Sequence, residues 1–176
     1  MPPRLLRPVT LFAAAVALLT AGCGSDEESG RAGAEELSDA AAEARATLED
    51  TSVKPVIEKP TGSPPRRLVK EDIVEGGGSP ASSGDRITVH YVGVSFSTGR
   101  EFDASWNTGR PFSFPLGAGQ VIPGWDQGIV GMKRGGRRKL TIPPELAYGA
   151  EGAPPDIAPN ETLVFVVDLV KINPRS

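Results

Sequence analysis

Cysteine and histidine each occur once in 176 residues, methionine and tryptophan twice each, and aromatic residues make up 6%. One cysteine cannot close a disulfide within its own chain, and one histidine cannot provide the imidazole pair of a zinc site. No apolar run reaches the roughly 20 residues that a membrane-spanning helix needs. Positive charge is in the minority, with 19 Lys and Arg against 22 Asp and Glu, for a net charge of −3. That balance argues against a nucleic-acid partner. Gly117-Ala118-Gly119 lacks the Lys-Ser or Lys-Thr that would follow in a phosphate loop. The expectation is a protein that needs no metal and no cofactor.

Glycine and proline are plentiful instead, at 21 and 17 residues, and they punctuate the chain. Arg4 and Arg7 precede an apolar run from Val9 to Ala21, which is short and has the flanks of a signal peptide. The run ends Leu19-Thr20-Ala21-Gly22-Cys23. Small residues before a lone Cys resemble a bacterial lipoprotein cleavage site, with Thr20 a departure from the aliphatic residue usual there. Residues 1–22 are read as a signal peptide and Cys23 as the lipidation site, so the mature protein is expected to be extracytoplasmic and anchored to the cell membrane. Removing residues 1–22 leaves a net charge of about −5.

Residues 24–52 carry nine acidic residues against Arg31 and Arg45, with little beyond Leu37 and Leu48 to bury. Such a stretch cannot offset its ordering entropy and reads as a solvated tether. Residues 53–65 are Pro-rich and extended. The division is therefore 1–22 signal peptide, 23–65 tether and 66–176 domain.

The domain is organised around Gly119 to Met132. Pro123 suits the first turn of a helix, Gly131 its end, and Trp125 and Ile129 share one face. Gly124 and Gly128, on either side of the Trp, are expected to let other backbone come close. A helix this short needs something wrapped around it. Strands are expected over 68–75, 86–96, 101–105, 111–116, 138–142 and 162–172. Period-two patterning turns Ile87, Val89 and Tyr91 to one side and Leu163, Phe165, Val167 and Leu169 to one side. The fold class is α+β, with antiparallel strands curled around one short helix. Lys133, Arg134, Arg137, Arg138 and Lys139 read as a solvated basic turn, and His90, opposite Tyr91, as structural or surface.

His90-Tyr91-Val92-Gly93, Phe102-Asp103-Ala104-Ser105, Phe112-Ser113-Phe114, Val121-Ile122-Pro123-Gly124-Trp125, Ala147-Tyr148-Gly149 and Ala158 to Phe165 occur in this order. Together they resemble the FKBP family of peptidyl-prolyl cis–trans isomerases over residues 66–173. The resemblance implies a twisted antiparallel sheet half-wrapped around the helix. It implies Trp125 as the floor of a proline pocket and Tyr91, Phe102, Phe112, Val121 and Phe165 as its walls. By the same resemblance the Ile122 N–H receives a carbonyl, Tyr148 bonds the ligand, Asp103 sits at the edge and Ile157 forms an apolar lip. Thr108 stands where some members have Arg, and Asp156 where they have an aliphatic residue. The implied partners are Pro-containing unfolded or exported polypeptides and macrolides such as FK506 or rapamycin. The implied function is acceleration of X–Pro isomerisation in the folding of exported proteins. The alternative is a binding module or chaperone that grips Pro-containing segments without turnover.

Overall fold

The computed structural model describes residues 42–175. The expected signal peptide, Cys23 and the tether up to residue 41 lie outside that range. Eight strands follow a helical stretch over residues 42–49, here α1. They are β1 (Val69–Val74), β2 (Gly77–Pro80), β3 (Arg86–Ser95), β4 (Glu101–Ala104), β5 (Phe112–Pro115), β6 (Lys133–Arg134), β7 (Arg137–Ile142) and β8 (Leu163–Asn173). The second helix, α2 (Pro123–Gly128), lies between β5 and β6.

The main sheet is antiparallel, in the order β1-β7-β8-β3-β4, with β5 also paired to β3. Along one edge of β3, Arg86–Val89 pair with β5 and Val92–Val94 pair with β4. The long strands β3 and β8 form the spine, paired from Arg86–Asn173 to Ser95–Leu163. β2 and β6 make a separate two-stranded ribbon where the sequence suggests only turns.

The inner face of the sheet holds the core. Ile87, Val89, Leu140, Ile142, Leu163, Phe165, Val167 and Leu169 pack there with Trp125 of α2 and Ile129 directly after it. The alternation expected for β3 and β8 is therefore observed. α2 is six residues, shorter than the stretch expected to be helical. Its two glycines accommodate side chains of β7 rather than backbone. A Cβ on Gly124 would collide with Ile142, and one on Gly128 would lie 2.8 Å from Leu140 Cδ1. The helix thus rests directly on the sheet, and its length is set by that contact more than by its own propensity.

Composition marks 24–65 as tether, yet residues 42–60 lie against the outer face of the sheet. Ala44 is buried, and Ile57 packs on the small outer cluster of Val92, Val94, Ala104 and Val164. The link is Arg137, expected in a solvated turn but 0% exposed. Its Nη1 donates to the carbonyls of Thr47 (2.5 Å), Leu48 (3.3 Å) and Asp50 (2.9 Å), and its Nη2 donates to that of Val53 (2.9 Å). Asp168 on β8 completes the guanidinium's partners with a bidentate pair. A planar fork with five donors can satisfy several carbonyls left open at a helix end, which a few apolar residues could not.

Arg138, also buried, points to the other face of β7, as successive strand residues must. It pairs with Asp72 through Nε (2.6 Å) and Nη2 (2.9 Å) and donates to the carbonyls of Gly128 (2.8 Å), the last residue of α2, and Val130 (3.2 Å) just beyond it.

Candidate functional site

Four strands and one helix turn bring the expected residues together at the open end of the core. Ile122 enters α2 in an extended conformation, with φ −57° and ψ 144°, and Pro123 follows at the first helical position. The Ile122 carbonyl accepts from Trp125 N–H at 2.9 Å and Asp126 N–H at 3.3 Å, which starts the helix. Among the described residues nothing accepts from the Ile122 N–H. Asp126 in the first turn holds the preceding loop by accepting from the N–H groups of Gly117 and Gly119, each at 2.8 Å. Gly117 and Gly119 sit at φ +75° and +67°, where only glycine is at ease.

Trp125, 5% exposed, forms the floor. Tyr91 stands over it at 5.0 Å between ring centroids and 77° between planes, and Phe165 at 5.2 Å and 84°. Phe102 meets Phe165 edge-on at 5.5 Å, and Phe112 meets Trp125 at 6.4 Å. These are the edge-to-face geometries that aromatic quadrupoles favour. Gly93 makes room for the far wall: a Cβ there would lie 2.7 Å from both Phe102 and Phe165.

The result is a cavity of about 450 Å³, lined by Tyr91, Phe102, Asp103, Phe112, Gly119, Gln120, Val121, Ile122, Trp125, Tyr148 and Phe165. Its size is that of small-ligand pockets, and its walls are mainly aromatic. The polar groups are few and sit at the rim. Asp103 accepts a 2.6 Å hydrogen bond from the Tyr91 hydroxyl. Burial first, and then that bond, push the Tyr91 phenol above its ordinary range. Tyr148 is 42% exposed and Phe112 43%, so the mouth is open to solvent on their side.

Nine of the ten pocket residues expected from sequence line this cavity, and Ile157 does not. It is buried in the core beneath its loop and exchanges backbone bonds with Ala153, at 2.9 and 3.0 Å. Pairing with Ala153 turns its side chain inward, so the expected lip is not built from it. Gly119 and Gln120 join the lining because Asp126 tucks their loop over the mouth, a tertiary effect that no local pattern signals. Asp156 is exposed, and Arg100 donates to its carboxylate and carbonyl oxygens, each at 3.3 Å. Thr108 donates back to the Ser105 carbonyl at 3.2 Å. His90 stacks on Trp106 at 4.4 Å, away from the cavity, with Nδ1 2.9 Å from Ser105 Oγ.

Residues 77–170 match a family model described as FKBP-type peptidyl-prolyl cis-trans isomerase. An FK506-binding protein of Streptomyces anulatus is 61% identical over 120 residues, covering 68% of this chain and 97% of that protein. One from Neisseria meningitidis serogroup B is 51% identical over 105 residues, covering 60% of this chain and 95% of its own. The crystal structure of AtFKBP13 superposes with a TM-score of 0.55 at 43% identity, covering 59% of this chain and 91% of that one. Every residue of the cavity lining falls in the part that matches the family model.

Proposed function

The chain belongs to the FKBP-type peptidyl-prolyl cis–trans isomerase family, and from that premise we propose that the cavity over Trp125 seats the proline ring of exported polypeptides. Isomerase activity itself comes with the family. The observation that supports this site is the aromatic box of Trp125, Tyr91, Phe102 and Phe165 with its polar side chains at the rim.

Rotation about an X–Pro bond faces a barrier of roughly 18–20 kcal/mol and takes tens of seconds or more unaided. Resonance in the planar amide puts charge on the carbonyl oxygen. Twisting the bond removes that resonance, so the transition state is the less polar species. An apolar cavity therefore binds the twisted form better than the planar one, and that difference lowers the barrier. The Ile122 N–H and the Tyr148 hydroxyl hold the chain on either side of the twisting bond. Asp103, already accepting from Tyr91, orients the rim and fixes the Tyr91 ring rather than moving a proton. The same cavity is proposed to accept macrolides of the FK506 type, as the relatives' names suggest, and of the rapamycin type, as the family resemblance implies.

Proline-limited refolding of a model substrate tests the site. Phe165→Ala should abolish acceleration and cost about 3–5 kcal/mol of stability, as truncation of a buried aromatic does. Asp103→Ala should slow turnover while costing less than about 1 kcal/mol, since the residue is exposed. Unchanged rates in both, with the fold intact, exclude this cavity. Peptide binding without any acceleration would identify a binding module instead.

The enzyme is further proposed to be exported and held at the cell membrane through Cys23. The support is sequence: a charged start, a short apolar run and a lone Cys after small residues. One acyl chain binds only weakly, while two or more hold firmly. Cys23→Ser should appear as active enzyme in the soluble fraction, and membrane retention of that variant places the anchor elsewhere.

A further inference from the structure

β4 is the outermost strand of its edge and pairs only with β3, with a register shift between Gly93 and Val94. Yet it carries two of the cavity residues, Phe102 and Asp103. The turn that follows, Ser105–Asn107, supplies the Ser105 hydroxyl that accepts from the Tyr91 N–H at 2.9 Å. One short segment, 101–107, thus positions a wall, a rim carboxylate and the backbone of Tyr91. An edge strand four residues long has little intrinsic reason to hold such a wall still.

Both ends of that segment are tied to one side chain. Lys54 Nζ lies 2.8 and 2.9 Å from the two carboxylate oxygens of Glu101 and 2.8 Å from Asn107 Oδ1. Asn107 Nδ2 closes the triangle by donating to Glu101 Oε1 at 2.9 Å. Partial burial alone would raise the Glu101 carboxyl, but the bonds from Lys54 and Asn107 outweigh it and hold the group below its ordinary value. Lys54 is itself fixed. Its neighbour Val53 gives its carbonyl to Arg137, and Ile57 packs on the outer cluster. The residues that present it lie outside the part of the chain matched by the family model, which begins at residue 77.

We propose that Lys54 is a positioning residue for the isomerase reaction: it clamps Glu101 to Asn107 and so fixes the Phe102–Asp103 wall of the cavity. The proposal rests on the cavity being the site of turnover. In this view the segment ahead of the domain belongs to the working enzyme, because it holds the outside of a strand whose inside faces the substrate.

The test uses the full chain, four single variants and one double variant. Lys54→Met keeps the stem and removes the charge, and Lys54→Arg restores it. Lys139→Met, at a 3.8 Å surface pair with Glu71 and outside the cavity lining, is the control. Phe102→Ala reports on the cavity itself. Refolding acceleration and thermal midpoint are measured for each, and Lys54→Met is repeated in the Phe102→Ala background.

Lys54→Met is expected to lower kcat/KM by up to about tenfold, the scale of a small misplacement of a reacting wall. Its thermal midpoint should fall no more than that of Lys139→Met, and Lys54→Arg should recover the rate. In the Phe102→Ala background the Lys54 effect should shrink, because the two act through one wall. A normal rate in Lys54→Met while Phe102→Ala is impaired overturns the proposal and leaves the cavity standing. An equal loss in both backgrounds also overturns it, since Lys54 would then act elsewhere. A normal rate in Phe102→Ala removes the cavity reading and the proposal together.

Discussion

Tyr91 serves the cavity twice, as an aromatic wall against Trp125 and as the donor that occupies Asp103. The second role has a consequence in pH. Burial and the Asp103 bond raise the phenol above its ordinary value of 10.0. A raised folded-state value means the bond's stabilisation is complete below the unfolded value and is lost only as pH rises through the folded one. The Tyr91 phenol should therefore contribute no alkaline limb to turnover near pH ~10, where a free tyrosine titrates. Tyr91→Phe separates the two roles: the ring remains, Asp103 loses its donor, and turnover should fall while the Trp125 contact persists. A limb near pH ~10 in the parent protein, absent from Tyr91→Phe, would show the phenol to be unperturbed. Tyr91 and Phe165 are legible in the sequence from strand parity and Trp125 from a helix start with Pro at its first position, whereas the other expected lining residues follow only from the resemblance of the ordered motifs. The placements of Ile157 and Gln120 were legible in neither way, because their directions are set by a loop pairing and by a carboxylate nine or fewer residues away in a different turn.

The two arginines of β7 show why charge patterning misled at the level of elements. Five basic residues within seven positions read as a solvated turn. A strand sends alternate side chains to opposite faces, and here each face offers a carboxylate and the open carbonyls at a helix end. Arg137 takes α1 and Asp168; Arg138 takes α2 and Asp72. Neither partner is close in sequence, so nothing local distinguishes a buried arginine from an exposed one. Arg137→Met should cost about 3–5 kcal/mol in urea unfolding, because it strands a buried carboxylate. Arg137→Met with Asp168→Leu should recover the part due to the stranded carboxylate, but not the part due to the carbonyls of Thr47, Leu48, Asp50 and Val53, which still lose their donor. A cost below about 1 kcal/mol for the single variant would mean that the pair does not hold the outer face.

For the molecule as a whole, the sheet wrapped on α2 follows from patterning, whereas the docked segment 42–60 does not. Its apolar content is too small to signal burial, and it is held by backbone carbonyls, which every sequence possesses. A chain beginning at Arg66 would expose Arg137 and the outer cluster of Val92, Val94, Ala104 and Val164. Its thermal midpoint should lie roughly 10 °C or more below that of a chain beginning at residue 42, given a loss of a few kcal/mol. Equal midpoints would show that the segment contributes nothing to the fold.

The docking of residues 42–60 also sets how far the enzyme can roam. On the chain anchored at Cys23, as proposed above, at most residues 24–41 are left between anchor and body. At no more than ~3.6 Å per residue, that allows a reach of about 65 Å, against about 150 Å were the whole stretch to residue 65 paid out. The volume a tethered cavity sweeps scales with the cube of its leash, so the shorter one concentrates the enzyme about tenfold in the layer next to the bilayer. Polypeptides would meet it as they emerge from the membrane, and those already diffusing beyond that layer would not.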